Sequence, residues 1–254
     1  MLQSYSHFAE TLARSLRLTQ PSVAVCFADF VPDSVPAHEG LAPAGCRFWR
    51  DAATASFATS SGDHALCAVG SYTHNLEPSA AQQRELQDCL AVFGDLGYVT
   101  ADDLPLIPVL SRRPKHVVYA PLAQSPLPPE VVLLFGDASQ ALIVAEAVQQ
   151  VEHRTPPALG RPACAVIPQV FNTGFAALSF GCCGARAYDD AFTADLVLCA
   201  LPGSRLAAYV ERIAALAEAN SVLSRFHLRR GQDVAAGATP TVRESLAVLG
   251  SPRS

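Results

Sequence analysis

Hydrophobic positions along the chain change their period several times, and each change marks an element. Between Met1 and Leu18, Tyr5, Phe8, Leu12 and Leu16 recur at helical spacing with Glu10 and Arg14 on the other side. That pattern predicts an amphipathic helix. Pro21-Ser-Val-Ala-Val-Cys-Phe27-Ala-Asp29 and Pro129-Glu-Val-Val-Leu-Leu-Phe135-Gly-Asp137 are β-branched and aromatic, are entered by proline and stop at a turn residue. Both predict short buried strands. Val117-Val-Tyr-Ala120 and Leu196 to Ala200 predict two more. Leu86, Cys89, Leu90 and Phe93 form a helical stripe within Gln82 to Phe93, ended by Gly94. Asp137 is placed to cap a helix from Ala138 to Gln150, and the Pro202-Gly203 turn introduces a helix from Ser204 to Asn220. Beyond Arg229 the chain becomes polar and Gly-rich, with a capping-box signal at Thr241 and Glu244. This stretch predicts a mobile or loosely docked tail. The succession of strands and helices predicts an α/β protein with mixed sheet(s) and packed helices.

The two proline-led strands begin a longer internal similarity. Cys46 precedes Phe57-Ala58 by eleven positions, and Cys164 precedes Phe175-Ala176 by the same spacing. Each half then reaches a second cysteine ahead of a Gly and a Tyr, in Cys67-Ala-Val-Gly70-Ser-Tyr72 and Cys182-Cys-Gly184-Ala-Arg-Ala-Tyr188. These landmarks predict two diverged repeat halves, half A about 18–110 and half B about 115–225, joined by the proline-rich Pro121 to Pro129. Both fall in a single domain, 1–228, followed by the tail, 229–254. A duplication of this kind predicts a pseudo-twofold arrangement in which equivalent cysteines approach one another across the axis.

Composition narrows the functional classes. Half of the 254 residues are apolar and 16% are charged, enough for a large core. A net charge of -5 with pI about 5.8 lacks the basic face that nucleic acid requires. Lys115 is the only lysine, so any Schiff-base chemistry, pyridoxal phosphate included, would have to use it, and none is expected. No apolar run reaches the roughly 18 residues of a membrane span, and Met1 to Leu18 lacks the pattern of a signal peptide. Eight cysteines in such a chain point to a reducing, cytoplasmic setting, with thiols as metal ligands, nucleophiles or core filler.

The repeat singles out Cys46, Cys67, Cys164 and Cys182. Four thiolates suit tetrahedral zinc or an iron–sulfur cluster, although no C-x2-C pair or ferredoxin run is present. A [4Fe-4S] cluster is preferred and zinc is the alternative. Structural zinc usually staples small domains without a core, and Arg47 and Arg50 after Cys46 and Arg186 after Cys182 suit a polyanionic group. Gly181 and Gly184 leave room for backbone amides near sulfur. Cys183 competes with Cys182 as the fourth ligand. Cys26, Cys89 and Cys199 lie in apolar patterns and read as core. His64 and His74 flank Cys67; they reach the site as acid, base or ligand, or else face water from loops. The remaining histidines have no supporting context. Gly136-Asp137 reads as a plain helix cap, and neither a P-loop nor a G-x-S-x-G motif is present.

Pro21-Ser-Val-Ala-Val, Cys46-Arg47, Cys67-Ala-Val-Gly70, Val117-Val-Tyr-Ala-Pro121-Leu, Val131-Val-Leu-Leu-Phe-Gly136, Ser179-Phe-Gly-Cys-Cys-Gly184-Ala-Arg186, Leu201-Pro-Gly203 and Ala219-Asn220 follow in this order. Through them the chain resembles domain-of-unknown-function family 169, from about residue 8 to 225. The resemblance implies a single cytoplasmic domain of bacteria and archaea, many of them anaerobes, and supplies no substrate. The family pattern has one cysteine where this chain has Cys182 and Cys183.

The leading expectation is therefore a [4Fe-4S] protein that transfers electrons or acts on a small substrate as a lyase, desulfurising enzyme or reductase. His64, Arg47 and Arg186 are its acid–base or anion-binding candidates. The alternatives are a metal-free binding module with a pocket between the halves, and an enzyme using Cys182 or Cys183 as nucleophile. A small substrate or redox partner is expected, and a homodimer is the default assembly.

Overall fold

A computed structural model describes residues 2–188 and 192–247. Met1, residues 189–191 and residues 248–254 lie outside the described residues. The centre is a seven-stranded mixed sheet in the order β2-β3-β1-β4-β7-β6-β5. Its strands are β1 (Val23–Ala28), β2 (Phe57–Thr59), β3 (His116–Pro121), β4 (Val131–Gly136), β5 (Ala158–Leu159), β6 (Ala177–Ser179) and β7 (Val197–Pro202). Neighbours run antiparallel except β5 with β6. The four predicted strands are all present. β2, β5 and β6 have two or three residues each, too short to leave a periodic signal in the sequence.

The central strands are apolar throughout because helices cover both faces. On one face Val23, Val25, Phe27, Val131, Leu133 and Phe135 join a core with Phe48 and Trp49 of α2 (Arg47–Asp51) and Val166, Ile167 and Val170 of α6 (Val166–Thr173). Ala185 of α7 (Cys183–Tyr188) belongs to the same core. On the other face Ala24, Val132, Leu134, Cys199 and Leu201 pack with α1 (Leu2–Leu16), α5 (Ala138–Glu152) and α8 (Leu206–Ala235). The Asp137 cap is formed as expected: its side chain accepts from the Gln140 amide, and Gln140 reaches back to the Asp137 amide.

α8 corrects the sequence reading. It does not end at Asn220 but continues to Ala235, carrying the chain past Arg229 into the segment read as tail. Phe226 is buried, Arg229 pairs with Asp233 one turn on, and Gly231 is tolerated within the helix. The expectation of a loose tail is corrected over its first part. α9 (Val242–Ala247), capped by Thr241 and Glu244 as read, buries Ser245, and Arg230 of α8 donates to the Pro240 carbonyl. Among the described residues no helix is long and apolar enough to cross a membrane.

β7 leaves the sheet through Gly203, whose amide donates to the Glu130 carbonyl at 2.9 Å. A Cβ at this position would lie 1.7 Å from the Pro129 carbonyl oxygen, which is backbone and has nowhere to move. Gly203→Ala is expected to destabilise the protein by about 3 kcal/mol or more, read as a lowered urea midpoint. An unchanged midpoint would mean that β4 and β7 do not meet as described.

Candidate functional site

Each of the four repeat-related cysteines sits at the head of a helix. Cys46 directly precedes α2, and Cys67 directly precedes α3 (Ala68–Thr73). Cys164 lies in the 3₁₀ turn Ala163–Ala165 that leads into α6, and Cys182 directly precedes α7. Helix heads carry amides without an intrahelical partner, which favours a side chain able to accept hydrogen bonds or bear negative charge. At Cys182 the contact is made: the Ala185 amide donates to Sγ at 3.4 Å. Thr73 Oγ1 stands 3.3 Å from Cys164 Sγ and 3.0 Å from the Gly70 carbonyl oxygen. Its single proton serves one of the two at a time.

All four cysteines line one cavity of about 500 Å³ on the α2–α6 side of the sheet, and Cys89 and Cys183 line it too. A second layer closes it from outside. This is α4 (Ala80–Asp95), with Glu85, Cys89, Leu90 and Phe93 on the cavity side, continued by Tyr98, Val99 and Ile107. α4 is anchored by Gln82, which completes a capping box with Ser79 and donates to the Ser61 carbonyl. Leu90 and Phe93 are only half-buried, because the stripe read from the sequence faces a cavity rather than packed side chains. Cys89, expected in the core, is on this wall. Cys26 and Cys199 are core, as expected.

Burial dominates the electrostatics. It pushes the Cys164 thiol well above the ordinary range, and neighbouring Cys67, Cys182 and Cys46 push it further. Cys67 is raised by burial and by Cys182, while the backbone of Gly45 and Gly70 pulls the other way. Gly70 has to be glycine for this fit, since a Cβ there would stand 2.7 Å from Cys67 Sγ. Tyr119 is fully buried beside Cys164, Cys67 and Cys46, and its hydroxyl has no partner among the described residues.

His64 and His74 do not face water. Both are buried, with ring centroids 5.8 Å apart. His64 Nε2 meets Thr59 Oγ1 at 3.2 Å, and Thr59 in turn donates to the Val117 carbonyl. This puts the ring proton on Nε2 and leaves Nδ1 bare, close to Gly45, Gly70 and Cys67. His74 donates from Nδ1 to the Gly70 carbonyl at 2.7 Å, leaving Nε2 without a partner among the described residues. Burial holds His64 down to about 3 and His74 to about 4. His64 thus stands behind Cys67 rather than on the cavity wall.

The arginines chosen from sequence lie elsewhere. Arg47 pairs with Asp51 at 3.3 Å and lines a separate hollow with His38. Arg186 donates to the carbonyls of Thr193 and Phe180, linking those two residues to α7. Arg50 is not on the cavity wall. Gly181 takes a positive φ of 81° beside Phe192, while Gly184 does line the cavity. The cation at the cavity is Arg161, stacked over Tyr98 with 4.1 Å from guanidinium carbon to ring centroid. No repeat or spacing marks Arg161, Tyr98 or Glu85.

Among the described residues no three of His, Cys, Asp or Glu stand close enough to share one metal ion. The thiols as placed do not form the compact tetrahedron of structural zinc. A cluster asks for something wider, because its thiolates ligate separate irons. The donor set, one cavity lined by six thiols of which a cluster would need four, fits a cluster in kind.

The fold and cavity define an α/β protein with a thiol-lined chamber beneath a loosely packed helix. The chain matches the model of domain-of-unknown-function family 169 (DUF169), described as uncharacterised ArCR, over residues 11–212, and it belongs to that family. No curated protein and no solved structure matches it.

The buried histidines make stability depend on pH. Both are neutral when folded down to about 4, whereas the unfolded chain protonates them near 6.5. The unfolded state then binds more protons, so stability falls as pH drops from about 6.5 towards 4. The two together contribute up to about 3 kcal/mol per pH unit in that window. In urea titrations across it, His74→Gln is expected to remove about half of that slope, and an unchanged slope would place His74 in water.

Proposed function

We propose that this is an iron–sulfur protein in which Cys46, Cys67, Cys164 and Cys182 hold a [4Fe-4S] cluster, with room beside it for a small substrate. The observation that carries the reading is that thiols from residues 46 to 182 line a single cavity. The raised Cys164 and Cys67 thiols add to it. Burial and mutual repulsion keep them protonated, and a cationic iron core is the kind of group that reverses both effects. Bound there, such a cluster supplies electron transfer or, where one iron lacks a thiolate, Lewis acidity.

Cys182 is the fourth ligand on this reading. It packs against the core and is held by the Ala185 amide, whereas Cys183 is exposed and bonds to the Tyr98 hydroxyl at 3.1 Å. Around the sulfurs, His64 buttresses Cys67, while Arg47 and Arg186 brace the segments that present Cys46 and Cys182. The protein acts in the cytoplasm, where its eight cysteines stay reduced, on a small substrate or with a redox partner.

A pseudo-twofold duplication underlies the site. In its favour, the strand order reads outward from the β1–β4 pair as β3 then β2 on one side and β7 then β6 on the other. Val23 pairs with Leu133 and Val25 with Val131, evenly about Ala24 and Val132. Leu122 donates to the Ser22 carbonyl after β3, as Gly203 does to Glu130 after β7.

The second reading is a metal-free pocket, favoured by the apolar walls and by the absence of a three-donor group among the described residues. A cysteine-nucleophile enzyme would use Cys182 or Cys183, and it finds less support: Cys182 accepts from the Ala185 amide, Cys183 meets the Tyr98 hydroxyl, and neither is hydrogen-bonded to a histidine among the described residues.

Protein purified without air is expected to carry about four irons per chain and to absorb broadly in the visible. Serine at any of the four cysteines should lower the iron content, and serine at Cys26 or Cys199 should not. Gly70→Ala is the sharper variant. It favours the helix by about 1 kcal/mol yet drives a methyl into Cys67 Sγ, so iron should be lost without unfolding. Iron-free protein after anaerobic purification and reconstitution would favour the metal-free pocket.

A further inference from the structure

We infer that the substrate of this cavity is a small monocarboxylate with an apolar body, its carboxylate gripped by Arg161. The inference names a substrate for the site proposed above and rests on reading the cavity as a place of reaction.

Arg161 is the one arginine or lysine on the cavity wall among the described residues, and it makes no ion pair there with any described carboxylate. It is nevertheless held in place. Its guanidinium lies over the Tyr98 ring at 4.1 Å, and the Tyr98 hydroxyl is bonded to Cys183 at 3.1 Å. Stacking and a hydrogen bond to Tyr98 fix the guanidinium, Asp103 feels its charge without pairing with it, and the rest of its forked edge remains for a ligand. That edge matches a carboxylate with two parallel hydrogen bonds.

The rest of the wall describes the body of the ligand. Leu90, Phe93, Val99 and Ile107 line the cavity and none is fully buried, so each gains by covering with apolar surface. The cavity's volume of about 500 Å³ is that of an ordinary small-molecule site. Charge number follows as well. One guanidinium is available, and Glu85 on the same cavity disfavours a second negative charge. A phosphate monoester, near two negative charges at neutral pH, is the poorer match.

The test compares 4-phenylbutyrate with its neutral isostere 4-phenylbutan-1-ol by calorimetric titration of the anaerobically purified full chain. The acid is expected to bind at least about tenfold more tightly than the alcohol. Arg161→Gln should erase that preference without changing alcohol binding, Arg161→Lys should restore part of it, and Val69→Trp, which fills the cavity, should weaken both. Equal binding of acid and alcohol, no binding of either, or unchanged acid preference in Arg161→Gln would overturn the inference. Tighter binding of the matching phosphate ester would overturn the monoanion assignment. Iron measured in the same samples separates the two proposals. Charge-selective binding without iron leaves the substrate class standing and removes the cluster, and iron without such binding does the reverse.

Discussion

The antiparallel contact between β1 and β4 governs the placement of everything else. Three residue pairs centred on Ala24 and Val132 join the β2-β3-β1 side of the sheet to the β4-β7-β6-β5 side, and each strand is buried on both faces. Alternation then sorts side chains by parity. Val25 and Phe27 face the helices that carry the four cysteines, while Cys26 between them faces the opposite way. The same rule puts Leu198 and Ala200 beneath the cavity and Cys199 on the far side. A one-residue slip would exchange these sets, and since both are apolar it is the misfit of side-chain volumes in the two cores that opposes it.

Once the register is fixed, the sulfurs have little choice of position. They occupy helix heads on one side of the sheet, where buried thiols raise one another and a tyrosine hydroxyl and two imidazole nitrogens lack partners among the described residues. Buried polar groups ordinarily find hydrogen bonds, so a concentration of orphaned ones next to a cavity is unusual for a region that serves only as core. Gly70 holds space open around Cys67, where a Cβ would stand 2.7 Å from Sγ, whereas a Cβ at Gly45 would only touch His64 and Cys67. The half-buried stripe of α4 above completes a chamber whose walls suit an occupant better than they suit one another.

The sequence displayed the parts that rest on local rules. β1, β3, β4 and β7 were legible from apolar runs and α5 from its cap, because burial on both faces and the Asp137–Gln140 box are written in consecutive residues. The choice of four cysteines out of eight came from internal similarity; those four line one cavity, but so do Cys89 and Cys183, so the cavity by itself does not single them out. Other parts depend on distant contacts and left no trace. Arg47 and Arg186 follow the right cysteines in sequence, yet the helical turn carries Arg47 to Asp51 and Arg186 to loop carbonyls. Arg161 comes to the cavity from the start of another turn and is recognised only through Tyr98. The length of α8 was hidden because Gly231 and polar residues imitate a tail when the burial of Phe226 is unknown.

Diffraction from anaerobically grown crystals, recorded on either side of the iron absorption edge, tests the central claim most directly. The account predicts one compact anomalous peak enclosed by the Sγ atoms of Cys46, Cys67, Cys164 and Cys182. A chamber without anomalous signal, in crystals of protein reconstituted with iron and sulfide, would contradict it.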